Sequence, residues 1–319
     1  MRQRPTQPKP FFWVPATEPP RKERPPDHDR FAGDSGRLDL RLQVVSDYLY
    51  VGGGQFELKT IGGRQQAYYA FARRDGQLVI PGSSLKGAVR SVLEAISNSC
   101  VSQRHRDDRV RPSHRPCDSD GPVCPACRLF GSTRRRGRVH FSDAVPIGDV
   151  KGEVIKIADL WPPRNAKGRK FYRSGRMHRL DLTPARNFRF IEAVPRGSRF
   201  AFSLYFENVR PAEMGLVLRS MGLGLDDGGR VVQAFPIKVG GAKPRCLGAV
   251  RFEATALWLV RPGPRLLAAL AGGGRAAEPA ETLREWLSAP TEGLLDRPAW
   301  DEFRRNATQE EGWCPSELY

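Results

Sequence analysis

Ile80-Pro81-Gly82-Ser83-Ser84-Leu85-Lys86-Gly87-Ala88-Val89-Arg90 decides how this chain is read, because it joins a strand to a helix through a turn that ends in a basic face. Val79 and Ile80 close an apolar run, and Pro81-Gly82 is turn punctuation that cannot continue a strand ladder. Ser83 or Ser84 then offers a helix cap, and Leu85, Val89, Leu93 and Ile96 fall at helical spacing on one face, carrying the helix to about Ser97. Lys86 and Arg90 stand four apart on another face. Backbone N–H groups at a helix start, two hydroxyls and two cations suit a phosphate, although a solvated, well-capped helix accounts for the same residues.

Outward from this stretch, the chain of 319 residues is long enough for one large body with a substantial core. Lys and Arg outnumber Asp and Glu by 52 to 35, a formal net charge of +17, which makes a polyanion the leading partner. No apolar run reaches the roughly 20 residues of a membrane span, and the Pro- and Arg-rich start has no apolar signal core. The expectation is a cytoplasmic protein with a nucleic-acid partner and no membrane.

Upstream, residues 1–36 read as an extended arm pinned by the apolar island Phe11 to Val14. His28, among charges, is a weak candidate for catalysis or RNA contact and more often a surface residue. Leu38, Leu40, Leu42 and Val44 alternate with polar residues, the mark of a strand with one buried face. Gly52-Gly53-Gly54 reads as a flexible turn or a place where RNA approaches the backbone. A less regular strand spans Ala67 to Phe71, and Asp75-Gly76 makes a turn.

Downstream, Cys100, Cys117, Cys124 and Cys127, four of the six cysteines, form C-x16-C-x6-C-x2-C, and in a reducing cytosol such clustering favours a metal over disulfides. Cys124-Pro125-Ala126-Cys127 puts two thiolates on one turn, so structural zinc is expected, with His114 or His105 as an alternative fourth ligand. Four protein ligands leave no open position for water, so no catalysis at the metal is implied. Residues 150–190 are basic and irregular, with Lys170 and Tyr172 among cations interleaved with aromatics that suit phosphates and stacked bases; a solvated loop explains them equally. Phe200 to Phe206 and Val250 to Val260 alternate as strands, and Glu213 to Met221 is an amphipathic helix. Between them lies a glycine- and lysine-rich loop containing Lys238 and Lys243. Short helices are expected over 266–271, 281–288 and 300–307. The whole reads as α+β, with helices covering one face of a mostly antiparallel sheet.

IPGSSLKG followed by Arg90, the CPACRLFG run from Cys124 to Gly131, Gly137-Arg138-Val139 with Asp143-Ala144, Phe206-Glu207-Asn208, and the loop ending in Lys243-Pro244 and Leu247-Gly248 together resemble the RAMP superfamily of CRISPR-associated proteins. Within it they are similar to the Cas7-type backbone subunits of type III effectors, nearest the zinc-bearing modules of the III-D and III-E kind. The resemblance spans about residues 10 to 260. It implies an RRM-like, ferredoxin-like core over 37–262, a zinc-knuckle insertion at about 100–138, basic loop insertions and a short helical extension over 263–319. It also implies CRISPR RNA, complementary target RNA and other Cas7-like and Cas effector subunits as partners. Ser83, Ser84, Lys86, Arg90, Lys170, Tyr172, Lys238 and Lys243 are the expected RNA contacts. A hairpin thumb from a neighbouring subunit kinks the guide-target duplex in this family, and cleaving members use an Asp shortly before the IPGSSLKG strand. Here Gln65, Gln66 and Ala67 stand at that place. Asp47, Glu57 and Asp75 are the remaining candidate acids for a ribonuclease, the alternative to a purely RNA-holding role.

Overall fold

The alternation from Leu38 to Val44 places four apolar side chains on one side of a strand, and in the computed structural model that side is fully buried. The structure describes residues 9–16, 19–102, 112–160, 169–263, 275–291, 293–308 and 310–317. Strand β1 spans Phe11–Val14, β2 Asp34–Val44, β3 Gly52–Ile61 and β4 Arg64–Phe71, before helix α1 over Gly82–Ile96. Helix α2 (Pro125–Phe130) and strands β5 (Val139–Phe141), β6 (Glu153–Ala158), β7 (Arg169–Tyr172), β8 (Phe188–Pro195) and β9 (Arg199–Val209) follow. Then come α3 (Pro211–Ser220), β10 (Ala249–Val260), α4 (Pro279–Ser288), α5 (Arg297–Ala307) and β11 (Glu310–Trp313).

The main sheet runs β10, β2, β9, β5, and every neighbouring pair is antiparallel. Numbered by chain position among themselves, these four strands lie in the order 4-1-3-2, with α1 after the first and α3 after the third. That βαββαβ arrangement is ferredoxin-like. Both helices bury apolar residues in the one large core, and α1 packs on α3. The opposite face keeps Arg37, Asp39 and Arg41 at the surface, tied by Arg37 to Asp39 and Arg41 to Glu253 ion pairs. The fold is thus α+β with mostly antiparallel sheets.

A second sheet, β6-β8-β4-β3, corrects the reading of residues 150–190 as irregular. Each strand shows only a short apolar run interrupted by one cation, Lys156 on β6 and Arg189 on β8, so no period-two pattern stands out. Its β4 to β8 pairing is parallel. Gly52, Gly53 and Gly54 begin a strand of the β3-β4 hairpin instead of forming a turn; its turn is Gly62-Gly63, both at positive φ. The Asp75-Gly76 turn is as expected, with φ of 50° and 78°, left-handed values that hairpin turns of two residues require.

Residues 28–30 form a turn and the main sheet already begins at Asp34, so the N-terminal stretch is strand, turn and connecting segments where described. Phe12 and Val14 are buried, and β1 pairs with β7. Asn208 holds the following segment, its side chain accepting from the Ala32 N–H and donating to the Arg30 carbonyl. Helices α4 and α5 agree with the expected helical tail, whereas the segment 266–271 lies outside the described residues.

Candidate functional site: the first helix and the four-cysteine cluster

Helix α1 starts one residue before the expected caps. Pro81 occupies the N-cap position and no side chain caps the helix, so Ser83 and Ser84 lie inside its first turn. A Cβ at Gly82 would collide with the Phe141 carbonyl, which is why glycine follows the proline here. The Gly82 N–H donates to Asp143 Oδ1 at 2.7 Å, and Arg74 pairs with the other oxygen at 2.6 Å. The anion that the helix start attracts is therefore the chain's own Asp143. Lys86 is half-buried, and no hydrogen bond or ion pair engages it among the described residues. Burial, with Arg90 nearby, pushes its amine below the usual lysine range. Lys86 in turn helps burial push the His140 imidazole down.

Arg90 points the other way. Its guanidinium donates to Glu94 Oε1 at 2.8 Å and to the Gly131 carbonyl at 2.9 Å, and one nitrogen lies 3.6 Å from Cys127 Sγ. The helix thus carries one cation toward solvent and one into the cysteine module.

That module holds Cys100, Cys117, Cys124 and Cys127, all buried, with sulfurs within 4.8 Å of one another. Cys100 follows the end of α1. Cys124 caps α2, with Pro125 at its first position, and Cys127 lies one turn on, so the CxxC faces inward because α2 is only six residues long and wholly buried. Four converging thiols with no other donor set fit a tetrahedral soft-metal site. Hydrogen bonding from Cys100, Cys117 and Cys127 drives the Cys124 thiol strongly down, while the same sharing drives Cys100 up. His114 is not in the group; its Nδ1 lies 3.1 Å from Ser113 Oγ. The fourth sulfur comes from Cys100, and His105 lies outside the described residues. Arg169, also buried, donates to the Ser99 carbonyl at 2.8 Å beside the cluster.

The other expected contacts are differently placed. Lys238 donates to the Cys246 carbonyl at 2.8 Å, and the loop around Lys243 packs on Tyr50, whose carbonyl accepts the Gly241 N–H at 2.8 Å. Its glycines serve this close packing: a Cβ on Gly240 would strike the same carbonyl. Burial pushes the half-buried Lys243 amine down. Lys170 lies over aromatic rings on the β1-β7 ribbon, with Tyr172 beside it. Cys246 and Cys314, outside the cluster, form a disulfide across 68 residues. A spacing that long carries no sequence signal. Arg245 next to it donates to the Pro315 and Glu317 carbonyls, anchoring the C-terminal segment on this loop.

The candidate acids do not converge. Asp47 accepts from Arg196 at 2.9 Å and from the Met177 N–H at 2.7 Å. Glu57 accepts the Tyr68 hydroxyl across the exposed hairpin, which pushes that phenol up to about 12. Asp75 sits in its turn, and His28 pairs with Glu207 at 2.9 Å. Gln66 lies on β4 opposite Lys59. Their partners lie elsewhere: Asp47 is tied to Arg196 and the Met177 N–H, Glu57 to Tyr68 and His28 to Glu207, so these groups do not form an acid-base pair with one another, which geometry demands before pKa.

A ferredoxin-like sheet carrying a four-cysteine insertion between its first helix and its second strand defines a small class of α+β proteins. The RAMP superfamily matches residues 41–251, more than half of the chain, and the chain belongs to that superfamily. It is 26% identical over 212 residues to the CRISPR system Cms endoribonuclease Csm3 of Methanocaldococcus jannaschii, covering 64% of this chain and 73% of that protein. Among solved structures it is similar to type III-B Cmr-beta bound to cognate target RNA, seen by cryo-EM. That likeness has 16% identity and a TM-score of 0.41, and it covers 72% of this chain and 61% of that one. No helix among the described residues is long and apolar enough to cross a membrane.

Proposed function

We propose that this chain is a CRISPR RNA-binding backbone subunit of a type III effector complex, holding guide and target RNA beside other Cas subunits. The observation that carries the reading is the Csm3 likeness running through the ferredoxin-like core. The charge of +17 supports a polyanionic partner, and Lys86, the cation on α1 without a protein partner among the described residues, is its phosphate contact. The β3-β4 hairpin, exposed nearly throughout with Phe56 69% exposed, serves as the thumb. Residues 1–36 act as arm, 37–262 as the RRM-like body and 263–319 as an extension. The four cysteines hold structural zinc, and the CPACRLFG module supports the III-D or III-E kind. When bound, zinc supplies a covalent tie between segments far apart in sequence and no reaction.

Guide binding tests Lys86 directly. Lys86→Ala weakens guide RNA binding and flattens the salt dependence by about one unit of slope, read by fluorescence anisotropy at several salt concentrations. An unchanged slope removes Lys86 from the phosphate contacts. We assign a holding role without cutting, because Gln66 stands where cleaving relatives have Asp and the nearby acids are committed elsewhere. The assembled complex leaves target RNA intact on a denaturing gel. Regularly spaced cuts that vanish in Asp47→Ala, Glu57→Ala or Asp75→Ala overturn that assignment.

A further inference from the structure

Strands β1 and β7 form a two-stranded ribbon with no third strand among the described residues, pairing Phe11 with Tyr172 and Trp13 with Lys170. Alternation splits the ribbon into two faces. On the inner face Phe12 and Phe171 meet Phe303, with ring centroids 5.7 Å and 4.9 Å away, and Val14 is buried completely. That face anchors the arm. The outer face carries Phe11, Trp13, Lys170 and Tyr172, all partly exposed, and the anchor has no need of three more rings there. Phe11 and Trp13 meet edge to face at 5.9 Å. Lys170 Nζ lies 4.0 Å from the Phe11 ring centroid, 5.3 Å from Tyr172 and 5.9 Å from Trp13, and Lys9 lies close by.

From this juxtaposition we infer that the outer face of the β1-β7 ribbon is a stacking platform for unpaired RNA bases, with Trp13 and Tyr172 beneath the bases and Lys170 against the backbone phosphate. Rings that alternate with a cation match the two needs of single-stranded RNA, a π-surface for each base and a positive charge for each phosphate. Trp13 and Tyr172 stand diagonally across the strand pair, a separation of ~7–8 Å in an antiparallel ladder, which spaces the rings for neighbouring bases. The occupant is single-stranded because bases paired in a duplex do not present their faces. The inference rests on the RNA-binding reading above and adds a second, unpaired segment to it, distinct from the helix contact at Lys86.

The test uses the full 319-residue chain with labelled oligoadenylate and oligouridylate of about 12 nucleotides, within the range such sites span. A blunt RNA duplex is the competitor. Oligoadenylate binds more tightly than oligouridylate, and the duplex competes weakly. Trp13→Ala weakens oligoadenylate binding about tenfold at unchanged salt slope, Trp13→Phe retains most of it, and Lys170→Ala lowers the slope by about one. Melting curves accompany each variant. If Trp13→Ala and Tyr172→Ala lower the melting temperature yet bind as the parent does, the rings are a fold device and the platform is wrong. If the duplex competes as well as the single strand, it is equally wrong. Lys86→Ala measured in parallel separates the two readings: loss there with none at Trp13 leaves the guide-holding role standing and removes only the platform.

Discussion

Replacing Cys124 and Cys127 together by Ser is expected to take zinc from about one equivalent per chain to background and to lower the melting temperature by roughly 10 °C. The two sulfurs are half of a buried cluster whose other half comes from Cys100 and Cys117, so a metal held there would tie the end of α1 to segments up to 27 residues away. Serine hydroxyls are poor ligands for a soft site and would stay buried beside two unpaired thiols. Structural zinc supplies ~10 kcal/mol or more in small finger peptides, and several kcal/mol is the corresponding loss in a chain with a large core of its own. Elemental analysis and calorimetry read the two quantities. Arg90→Gln should show an intermediate effect, holding zinc but releasing it faster to a chelator, because the guanidinium that faces Cys127 no longer offsets the thiolate charge. A parent protein purified without chelator that contains no zinc, or a double variant that melts with the parent, refutes the metal site.

Glu213→Ala is expected to cost ~3–5 kcal/mol at neutral pH, seen as a lower urea midpoint. Glu213 is 1% exposed, with Arg128 Nε at 2.7 Å and Arg138 Nη2 at 3.0 Å, and both arginines are buried as deeply. Removing the carboxylate leaves the buried Arg138 guanidinium with carbonyl partners alone and Arg128 with Glu23 as its remaining counter-charge, which is the expensive way to break an ion network. Burial alone would raise the Glu213 pKa, but Arg138 and Arg128 overcome it and hold the carboxyl below the usual glutamate range. A depressed carboxyl stabilises the fold above its unfolded pKa, and that stability drains away as pH falls through the folded value. The parent should therefore lose stability as pH drops below about 4.5, while Glu213→Ala loses less over the same window and the two converge. Equal urea midpoints at pH 7, or a gap that widens toward acid, would show that the network contributes nothing.

The same network shows where sequence stops. Glu213 sits on an amphipathic helix that the apolar spacing of Met214, Leu216, Val217 and Leu218 marks plainly. Nothing local says that its carboxylate belongs to Arg128, inside the cysteine insertion, and Arg138 at its end. Arg90 and Lys86 look equivalent as a pair four apart on one helix. Only packing turns Arg90 toward Gly131 and Cys127 and leaves Lys86 half-exposed. The start of α1 is another such case, for Asp143 arrives from 61 residues away to take the N–H that a phosphate was expected to take.

What the sequence alone determined are the features whose causes are local. Period-two alternation marked β2, β9 and β10, helical spacing marked α1 and α3, and the CxxC spacing placed two thiolates on one turn. The tertiary structure decided the order of those strands, the second sheet, the fourth sulfur of the cluster, and which cations of α1 find a protein partner. Those outcomes depend on pairings between residues dozens to hundreds apart, where each buried charge or donor must find its one partner, and no window of sequence contains both members.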